Sequence, residues 1–268
     1  MHLRKEIAVA GKQYSMVDVA PTVSAILQLP APEQAIGSAI QEIVRDLAGS
    51  PRVAILAPDA FGEFAWRLWQ DEMPFLKSLH AQRSILLHSV LPSITPVNFA
   101  AMVTGTDLAG HGVRTFRHDF ACQTLFDVVR EAGGKSAGIG LDGYTGAELL
   151  ARVADISGNA GDGSDDDVVD TVLEIADQLC PQFMIAQLGR VDDVFHRHGP
   201  SSPAVVPMLQ ATDARLDKLV VHLKPLGYGI ILLADHGQHD VPDAREGEFK
   251  GSHGTDRPED CLVPCTWV

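Results

Sequence analysis

Cysteine is scarce. Four thiols (Cys122, Cys180, Cys261 and Cys265) in 268 residues cannot form the dense disulfide framework of a small secreted scaffold. Cys261 and Cys265 lack a second Cys or His pair at zinc-finger spacing, so they are expected to be buried strand residues rather than a structural zinc site. No apolar run reaches the about 18 residues that a bilayer span requires, and Met1 is not followed by an apolar leader core. A reducing cytoplasm with no membrane attachment is therefore the expected setting. Basic residues are also in deficit, with 21 Lys and Arg against 35 Asp and Glu, a formal net charge of −14. That balance argues against a nucleic-acid polymer or an anionic membrane as main partner. Small anions are still admitted where a local positive centre, such as a bound metal, overrides the field.

What is present suits a globular enzyme: 46% hydrophobic residues, 24 glycines, and enough length for one domain over 1–268 with a large core. The continuous apolar run Val53 to Ala57 has the character of a parallel strand covered on both faces, and Ile85 to Leu87, Phe183 to Leu188 and Tyr228 to Ala234 are further apolar runs expected to form buried strands. Ser136 to Leu141 and Cys261 to Val268 are strand-like as well, and Ile7 to Ala10 is a short β-like piece. Between them lie helical periodicities, including one after Pro21, an amphipathic stretch from Ala35 to Leu47, Gln123 to Arg130, and Pro207 to Leu223. The alternation predicts an α/β fold with a mostly parallel central sheet and helices on both faces. The acid-rich run Asp162 to Asp167 lacks EF-hand spacing and leads into Val168, Val169, Val172 and Leu173, so it is expected to open a helix.

Chemistry-bearing residues stand where the strands end. In Leu91 to Asn98 an apolar strand gives way to a helix, which places Thr95 beside the free N–H groups of a helix N-terminus. Alone, Thr95 followed by Pro96 is an ordinary cap. Asp59 follows the Val53 strand, at the position where open α/β sheets bind ligands, and in isolation it is equally well a helix cap. Asp192 and His196 lie four apart, so one face of a helical turn presents both to a single cation; alone, such a pair is more often a surface hydrogen bond. Asp235-His236-Gly237 closes the Tyr228 strand, and His253 sits in Gly251-Ser252-His253-Gly254. Carboxylate with imidazole suits zinc or a similar borderline cation, with manganese as the alternative.

Taken together, an Asp after a first strand, Thr-Pro-x-Asn at a helix start, Asp-x-x-x-His then Gly-Pro, Asp-His-Gly and a late Gly-x-His-Gly occur in an order that resembles the alkaline phosphatase superfamily. The Thr95 to Asn98 spacing is most similar to its nucleotide pyrophosphatase/phosphodiesterase branch. These motifs run from Asp59 to His253, about three quarters of the chain. The resemblance implies two divalent metal ions. One is held by Asp192, His196 and His253, the other by Asp59, Asp235, His236 and the Thr95 hydroxyl. It further implies that Thr95 is a nucleophile passing through a phosphothreonine, with the Asn98 amide donating to a phosphoryl oxygen. A small phosphorylated substrate, such as a nucleotide, is the implied partner, with a phosphodiester or pyrophosphate bond ahead of a monoester. A Thr nucleophile departs from the Cys or Ser that sulfatases convert to formylglycine. A phosphomonoesterase, a phosphomutase or a catalytically silent relative remain alternatives.

Several features stand outside the motifs. His111, His198 and His239 are expected to be structural, Asp193 competes with Asp192 for the ligand register, and Phe61, Trp66 and Phe99 are core aromatics before they are base-stacking groups. The segment from Tyr14 to Pro32 looks like the piece that follows the last metal-binding His in the superfamily. Its place at the front of the chain suggests that residues 1–50 are a circularly permuted closing segment, with exchange between protomers as the runner-up.

Overall fold

The apolar run after Pro51 becomes the spine of the sheet because it has no face left for water. In a computed structural model of the chain, which describes residues 13–268, it forms β2 (Arg52–Pro58), and Val53, Ala54, Ile55, Leu56 and Ala57 are all fully buried. The β-like piece expected at Ile7 to Ala10 lies outside the described residues. β2 is flanked in parallel by β6 (Phe183–Leu188), with Val53 opposite Phe183 and Pro58 opposite Leu188. On its other side is β7 (Tyr228–Leu233), with Ile55 opposite Ile231. Beyond β6 come β4 (Ser136–Gly140) and β5 (Ile156–Asn159), also parallel. Beyond β7 the order continues through β10 (Leu262–Trp267) and β3 (Ser84–His88) to the two-residue β1 (Tyr14–Ser15). β10 runs antiparallel to both of its neighbours, so the expected mostly parallel sheet is present with one reversed strand.

Helices cover the sheet in two sets. Val19–Leu27 packs on β2 and on the helix Thr95–Thr104. Asp165–Leu179, Val206–Leu223 and Pro74–His80 form the second set, with Val206–Leu223 packing on the other two and touching β7. The acid-rich run does open a helix: Ser164 caps it, and the Asp167 carboxylate accepts from the Ser164 N–H at 2.7 Å. Phe61, Trp66 and Phe99 are at most 3% exposed, hence core and not base-stacking groups. Cys261 and Cys265 are buried free thiols. Among the described residues no helix is long and apolar enough to cross a membrane.

The amphipathic helix expected over Ala35 to Leu47 is shorter than its pattern, starting only at Gln41 and ending at Asp46. The backbone donors that a helix would engage internally are taken by remote partners. The N–H groups of Ile36 and Gly37 bond the Gly105 carbonyl, that of Ser38 bonds the Asp18 carboxylate, and that of Ile40 bonds the Thr22 hydroxyl. Tertiary hydrogen bonds of this kind override helical periodicity. Gly37 lies so close to the Val17 backbone that a methyl group there would sit 2.0 Å from its carbonyl oxygen.

The topology decides where chemistry can happen. β7, β2 and β6 are adjacent and parallel, so the loops after Leu233, Pro58 and Leu188 leave the sheet side by side. β3 also delivers its chain to this edge, and the chain reaches Thr95 within seven residues of His88. Gly37→Ala is expected to cost about 1–3 kcal/mol through overpacking against Val17. Chemical denaturation checks it, and an unchanged midpoint would contradict the packing described.

Candidate active site

Asp59 is the first residue past β2. Its N–H bonds the Leu188 carbonyl at 3.0 Å, and one carboxylate oxygen accepts from the Gln187 side-chain amide, itself anchored by the Gly146 N–H. Ala60 adopts a left-handed φ of 61°, uncommon for a residue with a Cβ, and its N–H reaches Asp235 Oδ1 at 3.2 Å. The turn after β2 is thereby tied to the end of β7. Thr95 is the first residue of its helix, with Oγ1 at 3.0 Å from His236 Nε2 and 3.5 Å from Asp59 Oδ1. His236 Nε2 lies 3.2 Å from Asp235 Oδ2 and 3.7 Å from Asp59 Oδ1. Asp59, Asp235, His236 and Thr95, expected to act together, are together.

The second group forms on the helix Arg190–His198. Asp192 Oδ2 is 3.3 Å from His196 Nε2, and Asp192 Oδ1 is 3.6 Å from His253 Nε2. The His253 ring stacks on His236 at 4.1 Å between centroids, and His196 stands 5.1 Å from His253. Ligand atoms of Asp192, His236 and His253 lie within 4.8 Å of one another, as do those of Asp59, Asp235 and His236, so His236 joins the two groups. Asp193 is turned elsewhere, held by the Tyr144 hydroxyl and at 3.0 Å by Arg190, which favours Asp192 as the site member of the pair.

Each imidazole is oriented from behind. Nδ1 of His196, His253 and His236 faces the carbonyls of Gly251, Ser93 and Gly237 at 2.9–3.0 Å. A carbonyl oxygen only accepts, so in each ring Nδ1 carries a proton and Nε2 faces the centre, where it can ligate once unprotonated.

The electrostatics calls for a cation. Burial, followed by the charges of Asp235 and Asp192, pushes the Asp59 pKa well above the usual carboxylate range. Asp235 Oδ2 is buried with no hydrogen-bond donor among the described residues. Burial and the neighbouring His236 lower the His253 pKa to about 4, leaving this ring neutral and able to ligate near pH 7. Burial would raise Asp192, but the hydrogen bond and charge of His196 outweigh it and hold its pKa low. Three carboxylates and three imidazoles around an orphaned acceptor fit divalent metal, and the donor types suit zinc or manganese.

Asn98 departs from its expected part. It is fully buried, its amide N–H groups go to the carbonyls of Val90 and Ile94 at 3.2 Å, and its oxygen accepts from the Val90 N–H at 2.7 Å. Every polar atom is engaged in bracing the loop before Thr95, so the donor expected for a phosphoryl oxygen is committed elsewhere. Two glutamines escaped the sequence reading: Gln187, which holds Asp59, and Gln238, whose amide bonds the Asp192 carboxylate. Their signal was a polar residue inside the β6 apolar run and another directly after Asp-His-Gly. His111 is fully buried, accepts the Val113 N–H, and has its pKa lowered to about 4 by burial; His239 bonds Asp260 at 2.7 Å.

Residues 139–256 match the family model for type I phosphodiesterase / nucleotide pyrophosphatase. No curated protein gives a significant sequence match. Phosphonoacetate hydrolase from Sinorhizobium meliloti 1021, solved with phosphonoformate, superposes with a TM-score of 0.58 at 19% identity, covering 74% of this chain and 59% of that one. The chain thus spans about three fifths of the bacterial protein's length. Murine ectonucleotide pyrophosphatase / phosphodiesterase 5 gives a TM-score of 0.61 at 15% identity, with 80% and 87% of the two chains covered. An inactive threonine-to-alanine variant of that mouse protein, in complex with AMP, superposes equally well at 14% identity. These superpositions show a shared fold, and the family match covers residues 139–256, somewhat less than half of the chain.

Asn98→Ala is expected to lower stability by about 1–3 kcal/mol, because the part-buried Val90 N–H loses its acceptor. Equilibrium unfolding measures it, and a loss confined to catalysis would restore Asn98 to a direct catalytic part.

Proposed function

We propose that this chain is a two-metal hydrolase of phosphate esters, cleaving phosphodiester or nucleotide pyrophosphate bonds through a phosphothreonine at Thr95. The observation that carries the reading is the convergence of Thr95 Oγ1 on His236 and Asp59 at 3.0 and 3.5 Å, beside the Asp192 group. Asp59, Asp235 and His236, with Thr95 Oγ1, would hold one ion, and Asp192, His196 and His253 the other. Bound there, divalent cations supply the positive charge that lowers the pKa of a hydroxyl and neutralises phosphoryl oxygens. Zinc is the proposed identity, with manganese as the alternative.

Thr95 then attacks phosphorus. Its Oγ–P bond forms as the bond from phosphorus to the leaving oxygen breaks, and water hydrolyses the phosphothreonine to return the free hydroxyl. The helix start at Thr95 adds backbone N–H groups facing the phosphoryl group. The hydrogen bonds of Asn98 hold the preceding loop, so the hydroxyl is positioned before substrate arrives. AMP on a threonine-to-alanine variant of the mouse relative supports a threonine-centred site for nucleotide-type substrates. Phosphonoformate in the bacterial relative shows that neighbours of this fold take small phosphorus anions.

We also propose that residues up to 50 form a permuted closing segment within a single domain, in a protein of the cytoplasm. β1 pairs with β3 two places from β10, and the helix Val19–Leu27 lies on the sheet containing β2, both of which support a permutation.

Metal-replete protein is expected to hydrolyse bis(4-nitrophenyl) phosphate faster than 4-nitrophenyl phosphate, and Thr95→Ala to lose on the order of 10³-fold or more in kcat. Unchanged turnover in that variant would remove Thr95 as nucleophile. Elemental analysis is expected to find two metal ions per chain and one in Asp192→Ala; a single ion in the parent protein would refute the paired site.

A further inference from the structure

Beside the site lies a cleft of about 620 Å³ that the motifs do not account for. That is within the usual size of a small-molecule pocket. Its wall includes His196, Arg197 and His198 from the end of the Arg190 helix, and Phe249 and Lys250 from the segment before β9 (Gly251–Ser252). Phe249 is 68% exposed, yet its ring lies 4.8 Å from the His196 ring. Arg197 and Lys250 have no carboxylate partner among the described residues, although the chain carries an excess of 14 acidic charges. The acids in the wall are already engaged: Asp193 by Arg190 and Tyr144, Glu248 by the Arg245 N–H.

The cleft has a fixed relation to the nucleophile. A chain of contacts runs from Thr95 to His236, on to His253 and His196, and ends at Phe249. In an in-line displacement the leaving oxygen departs opposite the nucleophile, towards Asp192 and His196 and so towards this wall. The wall is also held in place. The Lys250 N–H bonds the His196 carbonyl at 2.8 Å, the Gly251 carbonyl receives His196 Nδ1, and β8 (His239–Asp240) pairs with β9.

We propose that this cleft is the leaving-group subsite and that it selects leaving groups with a planar apolar body and a further anionic group. Phe249 packs on the planar body, and Arg197 and Lys250 receive the charge. The inference rests on the hydrolase reading and adds to it the class of leaving group.

The test pairs two methyl aryl phosphodiesters whose leaving phenol carries a para carboxylate or a para carboxamide. Wild-type protein is expected to favour the carboxylate by about tenfold in kcat/KM, the scale of one charge-assisted contact. In Arg197→Gln and Lys250→Gln the ratio is expected to fall to about one or below; taking the ratio within each variant cancels any general loss of activity or folding. A wild-type ratio near one, or a preference that survives in both variants, overturns the subsite while hydrolysis of both esters leaves the hydrolase reading intact. If neither ester is cleaved, the hydrolase reading fails on its own. The subsite is then judged by calorimetric binding of 4-carboxyphenylphosphonate against phenylphosphonate to metal-loaded protein. Tighter binding of the first that is lost in Lys250→Gln supports it, and equal or absent binding overturns it.

Discussion

Two carboxylates almost out of contact with water, Asp59 and Asp235, stand at the ends of neighbouring strands and face the same imidazole nitrogen, at 3.7 and 3.2 Å. Charges of one sign brought together under burial repel each other and lose hydration, a combination that folding alone does not compensate. Much of the surrounding architecture offsets that cost. Gln187 donates to Asp59, the Ala60 N–H to Asp235, and the left-handed turn at Ala60 is held so that this donor can point inward. Acids gathered in this way are suited to hold a cation, and the three rings with Nε2 facing inward complete the arrangement.

The sheet makes the gathering possible. Adjacent parallel strands place successive strand ends at one edge, so residues separated by well over a hundred positions become neighbours without any long loop crossing the core. Asp59 and Asp235 follow β2 and β7, which pair directly, and the helix carrying Asp192 and His196 begins two residues after β6, the other neighbour of β2. Antiparallel β10 lies between β7 and β3, and Ser89, just past β3, bonds the Asp235 carbonyl through its hydroxyl at 2.8 Å. The strand that leads to Thr95 is thus fastened to the strand end that carries the acid.

Much of this was legible in the sequence, for a physical reason. Strands buried on both faces must be apolar throughout, so Val53 to Ala57, Phe183 to Leu188 and Tyr228 to Ala234 announce both themselves and the polar residues that interrupt them. The order of those interruptions then suggested the superfamily. Less visible was whatever depended on partners distant in sequence. The pattern from Ala35 to Leu47 is helical in period, yet its first half gives its N–H groups to Gly105, Asp18 and Thr22. Asn98 has the spacing of a substrate contact, but the curvature of its own loop brings the carbonyls of Val90 and Ile94 within reach first. Gln187 and Gln238 carry no spacing signature, because their importance lies in what they touch.

The short hairpin of β8 and β9 has a wider consequence. Only sixteen residues separate His236 from His253, and within them Gly251 fixes the His196 ring while Phe249 and Lys250 face the neighbouring cleft. Grafting a different hairpin there, by natural drift or by engineering, would disturb the imidazole geometry at the same time as the cleft wall. The hairpin therefore couples the orientation of His196 to the shape of the cleft wall, so single side-chain exchanges can alter the wall while the backbone that holds the ring stays in place.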